Sequence, residues 1–263
     1  MKIKYIVTGF LIFFCFAHFV HGQETELKSE GKTDSLYFKS ESLFKCSIKL
    51  PDNYDSQKSY KLVIGLPVAF NDFSAIWDGF KVDFIYATPQ AQYTNLMDNK
   101  MISDWAFWTS YDSSTIARAA TLTADYMADL VDELKMHYSV DEIYLMGFSQ
   151  SAIFTYIAGI QRPELYKGII CLSGPAIHEP LRNPFAGKYA PDWLEEKYLE
   201  PAKTLRVFIA HGTKDQTPPY DYGVKSKEIL SSYGYDVTFY SFDGGHVIDS
   251  SSLKKALEWI NKE

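Results

Sequence analysis

Short apolar runs alternate with stretches of helical periodicity along most of the chain. The runs at 62–64, 143–146 and 207–210 are almost continuously apolar, which is typical of strands that are covered on both faces. Alternation of such strands with helices predicts an α/β protein with a mostly parallel sheet and helices on both faces. The predicted strands are 41–49, 61–66, 83–88, 142–147, 167–172, 205–210 and 236–242.

Helical spacing is clearest in two regions. Apolar residues between Ile116 and Leu134 fall on one helical face, and apolar residues between Leu253 and Ile260 repeat with the same spacing. Both regions begin after serines, which are preferred at the N-terminal caps of helices. We therefore predict one helix in the middle of the chain and one at its C-terminal end.

Two long stretches, 89–114 and 174–202, interrupt the alternation and are rich in aromatic residues, Pro, Asn and Asp. Loops of this length are uncommon in compact domains unless they carry function. In open parallel sheets, the loops beyond the carboxyl ends of the strands build the binding site. We expect both stretches to be loops beside a functional site.

The N-terminus has the pattern of a secretory signal peptide. Lys2 and Lys4 precede an apolar run at 6–20, and polar sequence follows residue 22 at once. The apolar run is short for a membrane span, although an uncleaved anchor or a buried helix would be alternatives. The predicted organisation is a signal peptide at 1–22, a polar segment at 23–40 and a single domain at 41–263. The expected location is secreted or periplasmic, with no membrane span in the mature chain.

Composition and charge exclude several classes of protein. The chain has 263 residues and a formal net charge of −7, so it lacks the basic surface that nucleic acid requires. Its cysteines are too few for a disulfide scaffold. Beyond the predicted signal peptide, Cys46 and Cys171 could pair in an exported protein, or remain buried thiols if their strands are not neighbours.

The sequence Gly147-Phe148-Ser149-Gln150-Ser151 follows a predicted strand and precedes a helical run. This is the context of a nucleophile elbow, in which a strained turn exposes the serine hydroxyl and small residues stand two positions before and after it. A plain strand-to-helix turn that happens to contain serine is the alternative.

A serine hydroxyl needs a base to remove its proton, and the base needs an acid to orient it. Asp215 follows the strand at 205–210, and His246 follows the strand at 236–242 after two glycines. The order serine, acid, histidine is that of a nucleophile-elbow enzyme. We predict Ser149 as nucleophile, Asp215 as acid and His246 as base.

Other titratable residues fit these roles less well. Asp221 and Asp243 are alternative acids, whereas His137, His178 and His211 lack the glycine context of His246. The sequence has no spaced cluster of metal ligands and no glycine-rich phosphate loop. Neither a metal nor another cofactor is therefore expected.

The motifs resemble those of the α/β-hydrolase superfamily, and most closely its carboxylesterase/phospholipase group and the related secreted feruloyl and acetyl-xylan esterases. The segments GFSQS (147–151), LSG (172–174), HGTKD (211–215) and YDVTFYSFDGGH (235–246) are similar to that group's GFSQG, LSG, HG..D and YDV.F....G.GH. The resemblance implies an α/β-hydrolase fold with about seven to eight strands. It also implies that the backbone N–H of Gln150 is one donor of an oxyanion hole.

One departure concerns the second oxyanion donor. The group has His-Gly after the strand corresponding to 61–66, but Pro67 and Val68 stand there in this chain. Ala69 is then the best-aligned second donor. From the position of aromatic residues in related esterases, Trp105 and Trp108 are expected in the wall of a substrate pocket, with Phe148 beside the nucleophile as a further candidate. Packing under a long loop is the alternative for the two tryptophans.

Together these observations predict a secreted serine hydrolase that cleaves small or aryl acyl esters, with an ester linked to plant polysaccharide as one candidate substrate. The alternatives are a peptidase of the same fold and a non-catalytic module that binds carbohydrate or a partner. The changed loop after residue 66 favours the binding module, and the complete set of serine, acid and histidine favours the enzyme.

Overall fold

The computed structural model describes residues 42–68, 73–97, 100–105, 113–176, 194 and 196–262. Several predictions fall on residues outside these ranges. They are the signal peptide at 1–22, the polar segment at 23–40, the oxyanion donor Ala69 and the pocket residue Trp108.

A seven-stranded sheet forms the centre of the fold. The strands of the described chain are β1 (Cys46–Lys49), β2 (Tyr60–Leu66), β3 (Ile85–Pro89), β4 (Tyr93–Met97), β5 (Lys100–Asp104), β6 (Val140–Phe148), β7 (Gly168–Leu172), β8 (Arg206–Gly212) and β9 (Asp236–Phe242). The order in the central sheet is β1-β3-β2-β6-β7-β8-β9, and neighbouring strands are parallel except for β1, which pairs antiparallel with β3. This confirms the predicted α/β class and mostly parallel sheet.

Helices cover both faces of the sheet because successive strand residues point to opposite sides. On β2, Leu62, Ile64 and Leu66 join one buried cluster, and Val63 joins the other. The helices are α1 (Ser113–His137), α2 (Gln150–Gln161), α3 (Glu196–Leu199), α4 (Tyr220–Ser232) and α5 (Ser250–Ile260). Helices α1 and α2 contribute to the first cluster, and α5 contributes to the second. No helix in the described ranges is both long and apolar enough to cross a membrane.

The stretch 89–114 differs from its prediction as a loop. Within it, β4 and β5 pair antiparallel with each other as a two-stranded sheet, from Tyr93 opposite Asp104 to Met97 opposite Lys100. The polar residues that indicated a loop also suit a small hairpin outside the main sheet. In the stretch 174–202, the short helix α3 was likewise unforeseen.

The two cysteines of the described chain are free thiols. Cys46 lies on β1 and Cys171 on β7, four strand positions apart in the sheet. Adjacent strands are about 4.8 Å apart, so these side chains cannot meet in a disulfide. Burial raises the pKa of the Cys46 thiol to about 11, which makes it a poor nucleophile.

Candidate active site

Ser149 occupies a strained turn between β6 and α2. Its backbone has φ 56° and ψ −121°, a conformation that side-chain-bearing residues rarely adopt and that often marks a functional site. Its N–H donates to the Leu172 carbonyl oxygen at 2.8 Å. Its side chain does not cap α2, which leaves the hydroxyl available to other partners.

Two glycines allow the backbone to pack closely around this turn. A Cβ at Gly147 would lie 2.4 Å from the carbonyl oxygen of Ser151 and from Oγ1 of Thr155. A Cβ at Gly174 would lie 2.4 Å from the carbonyl oxygen of Ser149. Neither space admits a side chain, which explains the glycines of the GFSQS and LSG motifs.

Ser151 also has a defined part in the turn. It is fully buried, its Oγ accepts from the N–H of Phe148 at 2.9 Å, and the same hydroxyl donates to the Phe148 carbonyl oxygen at 3.0 Å. Ser151, which stands where the resembling motif GFSQG has glycine, therefore stabilises the turn from inside.

Ser149, His246 and Asp215 are joined by two hydrogen bonds. Nδ1 of His246 lies 2.8 Å from Oδ2 of Asp215, and Nε2 of His246 lies 2.8 Å from Oγ of Ser149. A carboxylate only accepts, so Nδ1 carries the proton of the neutral imidazole and Nε2 accepts from the serine hydroxyl. The structure thus brings the three predicted residues together in the order that proton transfer requires.

Asp215 is held from several sides. Its side chain is fully buried, and its Oδ1 accepts from the N–H of Thr217 at 2.8 Å. The loop that carries it is tied to the loop that carries His246, because the N–H of Lys214 donates to the Gly244 carbonyl oxygen at 2.8 Å. The alternative acids lie on the surface, where Asp243 pairs with Lys214 and Asp221 pairs with Lys225.

A second histidine, His211, is fully buried and contacts the acid. Nε2 of His211 lies 3.1 Å from the Pro218 carbonyl oxygen and 3.4 Å from Oδ2 of Asp215. Burial lowers the pKa of His211, against the opposing effects of Pro218 and Asp215. His211 was not among the predicted site residues, because its glycine context does not match that of His246, although its place in the HGTKD motif was an available signal.

Phe148 and Trp105 are both buried, which differs from an open pocket wall. Phe148 is 5% exposed, and the centroid of its ring lies 4.8 Å from the centroid of the His246 imidazole. Trp105 is 1% exposed, and its Nε1–H donates to the Pro67 carbonyl oxygen at 2.7 Å. Phe148 therefore contacts His246, and Trp105 contacts Pro67, from the interior of the fold.

In the described ranges, no group of three or more His, Cys, Asp or Glu residues is placed to hold a metal ion. The hydrogen bonds around Ser149 suit proton transfer between side chains.

Comparison with known proteins identifies the family. A family model described as phospholipase/carboxylesterase matches residues 76–263. The chain belongs to this family. The α/β-hydrolase fold and the carboxylesterase/phospholipase resemblance predicted from the sequence are thereby confirmed, and membership supports the expected class of ester hydrolase.

Within the phospholipase/carboxylesterase family, the chain is similar to fungal proteins named acyl-protein thioesterase 1. It is 30% identical to that of Emericella nidulans over 121 residues, which cover 45% of this chain and 46% of the relative. It is 29% identical to that of Aspergillus fumigatus over 143 residues, which cover 52% of this chain and 54% of the relative. The chain thus spans about half the length of the curated relatives that it matches. The solved structure of esterase PE8 has a TM-score of 0.61 at 18% identity, covering 82% of this chain and 97% of that one, and shows the fold alone.

The relatives also correct one prediction. The expected secreted or periplasmic location is wrong, because the curated relatives are acyl-protein thioesterases, which are typically cytosolic. The prediction depended on the local pattern at 1–22, and these residues lie outside the described ranges.

Proposed function

We propose that the chain is a serine hydrolase that cleaves acyl esters through a covalent acyl-enzyme on Ser149. The observation that carries this proposal is the pair of 2.8 Å hydrogen bonds that join Ser149 to His246 and His246 to Asp215. The strained backbone of Ser149 supports it, since strain of this kind often marks functional residues.

In the proposed reaction, Oγ of Ser149 attacks the acyl carbonyl carbon while Nε2 of His246 takes the hydroxyl proton. Asp215 stabilises the imidazolium that forms. The imidazolium then protonates the leaving group, and water, activated by His246 in the same way, releases the acid and restores the serine.

The negative oxygen of the tetrahedral intermediate needs hydrogen-bond donors. Gln150 is the first residue of α2, so its N–H has no partner within the helix and stands next to the nucleophile. The second donor is proposed to come from the loop after β2, where the sequence analysis points to Ala69.

The proposed substrates are small or aryl acyl esters. The names of the fungal relatives favour testing acyl thioesters beside oxygen esters, because both present the same carbonyl to the nucleophile. Attachment of the ester to polysaccharide rested on export and on aromatic loops, and it has no support from the described residues.

Labelling with a fluorophosphonate probe tests the proposal, since the probe reacts with an activated serine. We expect one adduct at Ser149, located by mass spectrometry, and none in Ser149→Ala. The unlabelled wild-type protein should hydrolyse p-nitrophenyl acetate or an acyl thioester, and labelling should abolish this activity. Ser173→Ala is the matched control, because Ser173 also has a positive φ, of 48°, but is buried and has no bond to His246.

Folded protein that shows neither labelling nor hydrolysis would contradict the proposal and favour the non-catalytic binding module. Hydrolysis of peptides in preference to esters would favour the peptidase.

A further inference from the structure

The loop after β2 begins at Pro67, and the described residues include the hydrogen bond that fixes its first peptide. Pro67 and Val68 follow Leu66, the last residue of β2. Leu66 pairs with Gly147 of β6. Val68 lies two residues after Leu66, and Ser149 lies two residues after Gly147. Both segments therefore leave the sheet side by side at its carboxyl edge.

The carbonyl of Pro67 is fixed by the indole of Trp105. The Nε1–H of Trp105 donates to it at 2.7 Å, which is a short distance for an N–H···O bond. Trp105 is itself immobilised. Trp105 is 1% exposed, and the centroid of its ring lies 6.2 Å from the centroid of the Tyr126 ring. The backbone carbonyl oxygen of Trp105 accepts a hydrogen bond from Thr123 Oγ1 at 3.1 Å.

Fixing this carbonyl also fixes the amide that follows it. The peptide between Pro67 and Val68 is planar and trans, so the N–H of Val68 points away from the oxygen that Trp105 holds. Within the described residues this N–H has no hydrogen-bond partner. The Val68 side chain packs on the cluster that contains Phe148, whereas Trp105 belongs to the cluster on the other face.

We propose that Trp105 is a positioning residue for the oxyanion site, acting through its hydrogen bond to Pro67. The indole N–H sets the orientation of the peptide between Pro67 and Val68, and thereby the direction of the Val68 N–H at the start of the loop. The bond from Trp105 to Pro67 determines where the loop begins. This inference rests on the proposed function of Ser149.

A substitution that keeps the ring but removes the N–H tests the proposal. We expect Trp105→Phe to lower kcat for p-nitrophenyl acetate by at least about tenfold, because loss of a whole oxyanion donor costs about a hundredfold or more. KM should stay within about twofold, since the bond matters in the transition state rather than in substrate binding. Binding of phenylboronic acid, which forms a tetrahedral adduct on a nucleophilic serine, should weaken by a factor similar to the loss in kcat.

Trp77→Phe is the matched control. Trp77 is 2% exposed, and its Nε1 has no hydrogen-bond partner among the described residues. Trp77→Phe should therefore lose packing comparable to that lost in Trp105→Phe, without a change in kcat or in the binding of phenylboronic acid. If Trp105→Phe does not fold, benzothienylalanine at position 105 keeps the shape of the indole and lacks only the N–H.

Wild-type kcat in a folded variant without the N–H would overturn the proposal. So would an equal loss of kcat in Trp77→Phe. Failure of the wild-type protein to react at Ser149 would instead overturn the proposed function, and the inference about Trp105 with it.

Discussion

The ring of Phe148 lies against the imidazole of His246, with centroids 4.8 Å apart and planes inclined by 35°. Phe148 is also the last residue of β6, directly before Ser149. One residue therefore connects the nucleophile turn with the base. In the proposed reaction the imidazole becomes positively charged, and the face of an aromatic ring attracts a cation.

We expect Phe148→Leu to reduce kcat about fivefold, because a partly exposed cation–aromatic contact contributes about 1 kcal/mol. Steady-state hydrolysis of p-nitrophenyl acetate measures the change. Phe208→Leu is the control, since Phe208 lies in the same buried cluster and has no ring contact with His246. Equal kcat values in the two variants would show that the contact with His246 has no catalytic effect.

Asp215→Asn should reduce kcat by about ten-thousandfold, the effect typical of this change in a serine–histidine–aspartate triad. Asparagine offers one acceptor oxygen where aspartate offers two, so it cannot accept from both Thr217 N–H and His246 Nδ1–H. It also lacks the charge that stabilises the imidazolium.

Asp243→Asn is the control for that variant. Asp243 lies closer in sequence to His246, but its side chain is 78% exposed and pairs with Lys214 at the surface. The kcat of Asp243→Asn should equal that of the wild type. If Asp243→Asn lost activity and Asp215→Asn kept it, the assignment of the acid would have to be reversed.

The central sheet could be predicted because most of its strands are local apolar runs. The positions of Ser149, Asp215 and His246 followed from short motifs at the ends of such runs. A parallel sheet brings the carboxyl ends of its strands to one edge, so three separate local patterns were enough to predict one cluster of side chains.

The supporting contacts could not be predicted in this way. Trp105 bonds to Pro67 across 38 positions of the chain, and no periodicity links these two residues. The HGTKD motif alone did not predict the contact of His211 with Asp215, because that contact depends on how the chain returns from Pro218. The hairpin of β4 and β5 was missed because its polar residues resemble those of a loop.

Ser151→Ala should lower the free energy of unfolding by about 1–3 kcal/mol, since it leaves buried polar groups of Phe148 without the hydroxyl that contacts both of them. Urea unfolding followed by fluorescence measures the loss. Ser252→Ala is the matched control, because Ser252 is also buried but its Oγ has no partner among the described residues. Equal losses would mean that the hydroxyl of Ser151 does not stabilise the turn.

His211 should make the fold less stable in acid. Burial lowers its pKa in the folded state below the ordinary value of 6.5, so the unfolded chain binds a proton that the folded chain excludes. Stability from this source is complete above pH 6.5 and is lost as the pH falls below that value, by up to about 1.4 kcal/mol per pH unit until the folded pKa is reached.

His211→Gln isolates this contribution, because a glutamine amide can donate to the Pro218 carbonyl oxygen but does not titrate. Urea unfolding at pH 7.5, 6.5 and 5.5 should show a steeper loss of stability in the wild type than in the variant. The charged groups that act on His211, which are Asp215, Asp221 and His246, are present in both proteins. If the free energy of unfolding fell equally with pH in the two proteins, His211 would not be the group that takes up the proton on unfolding.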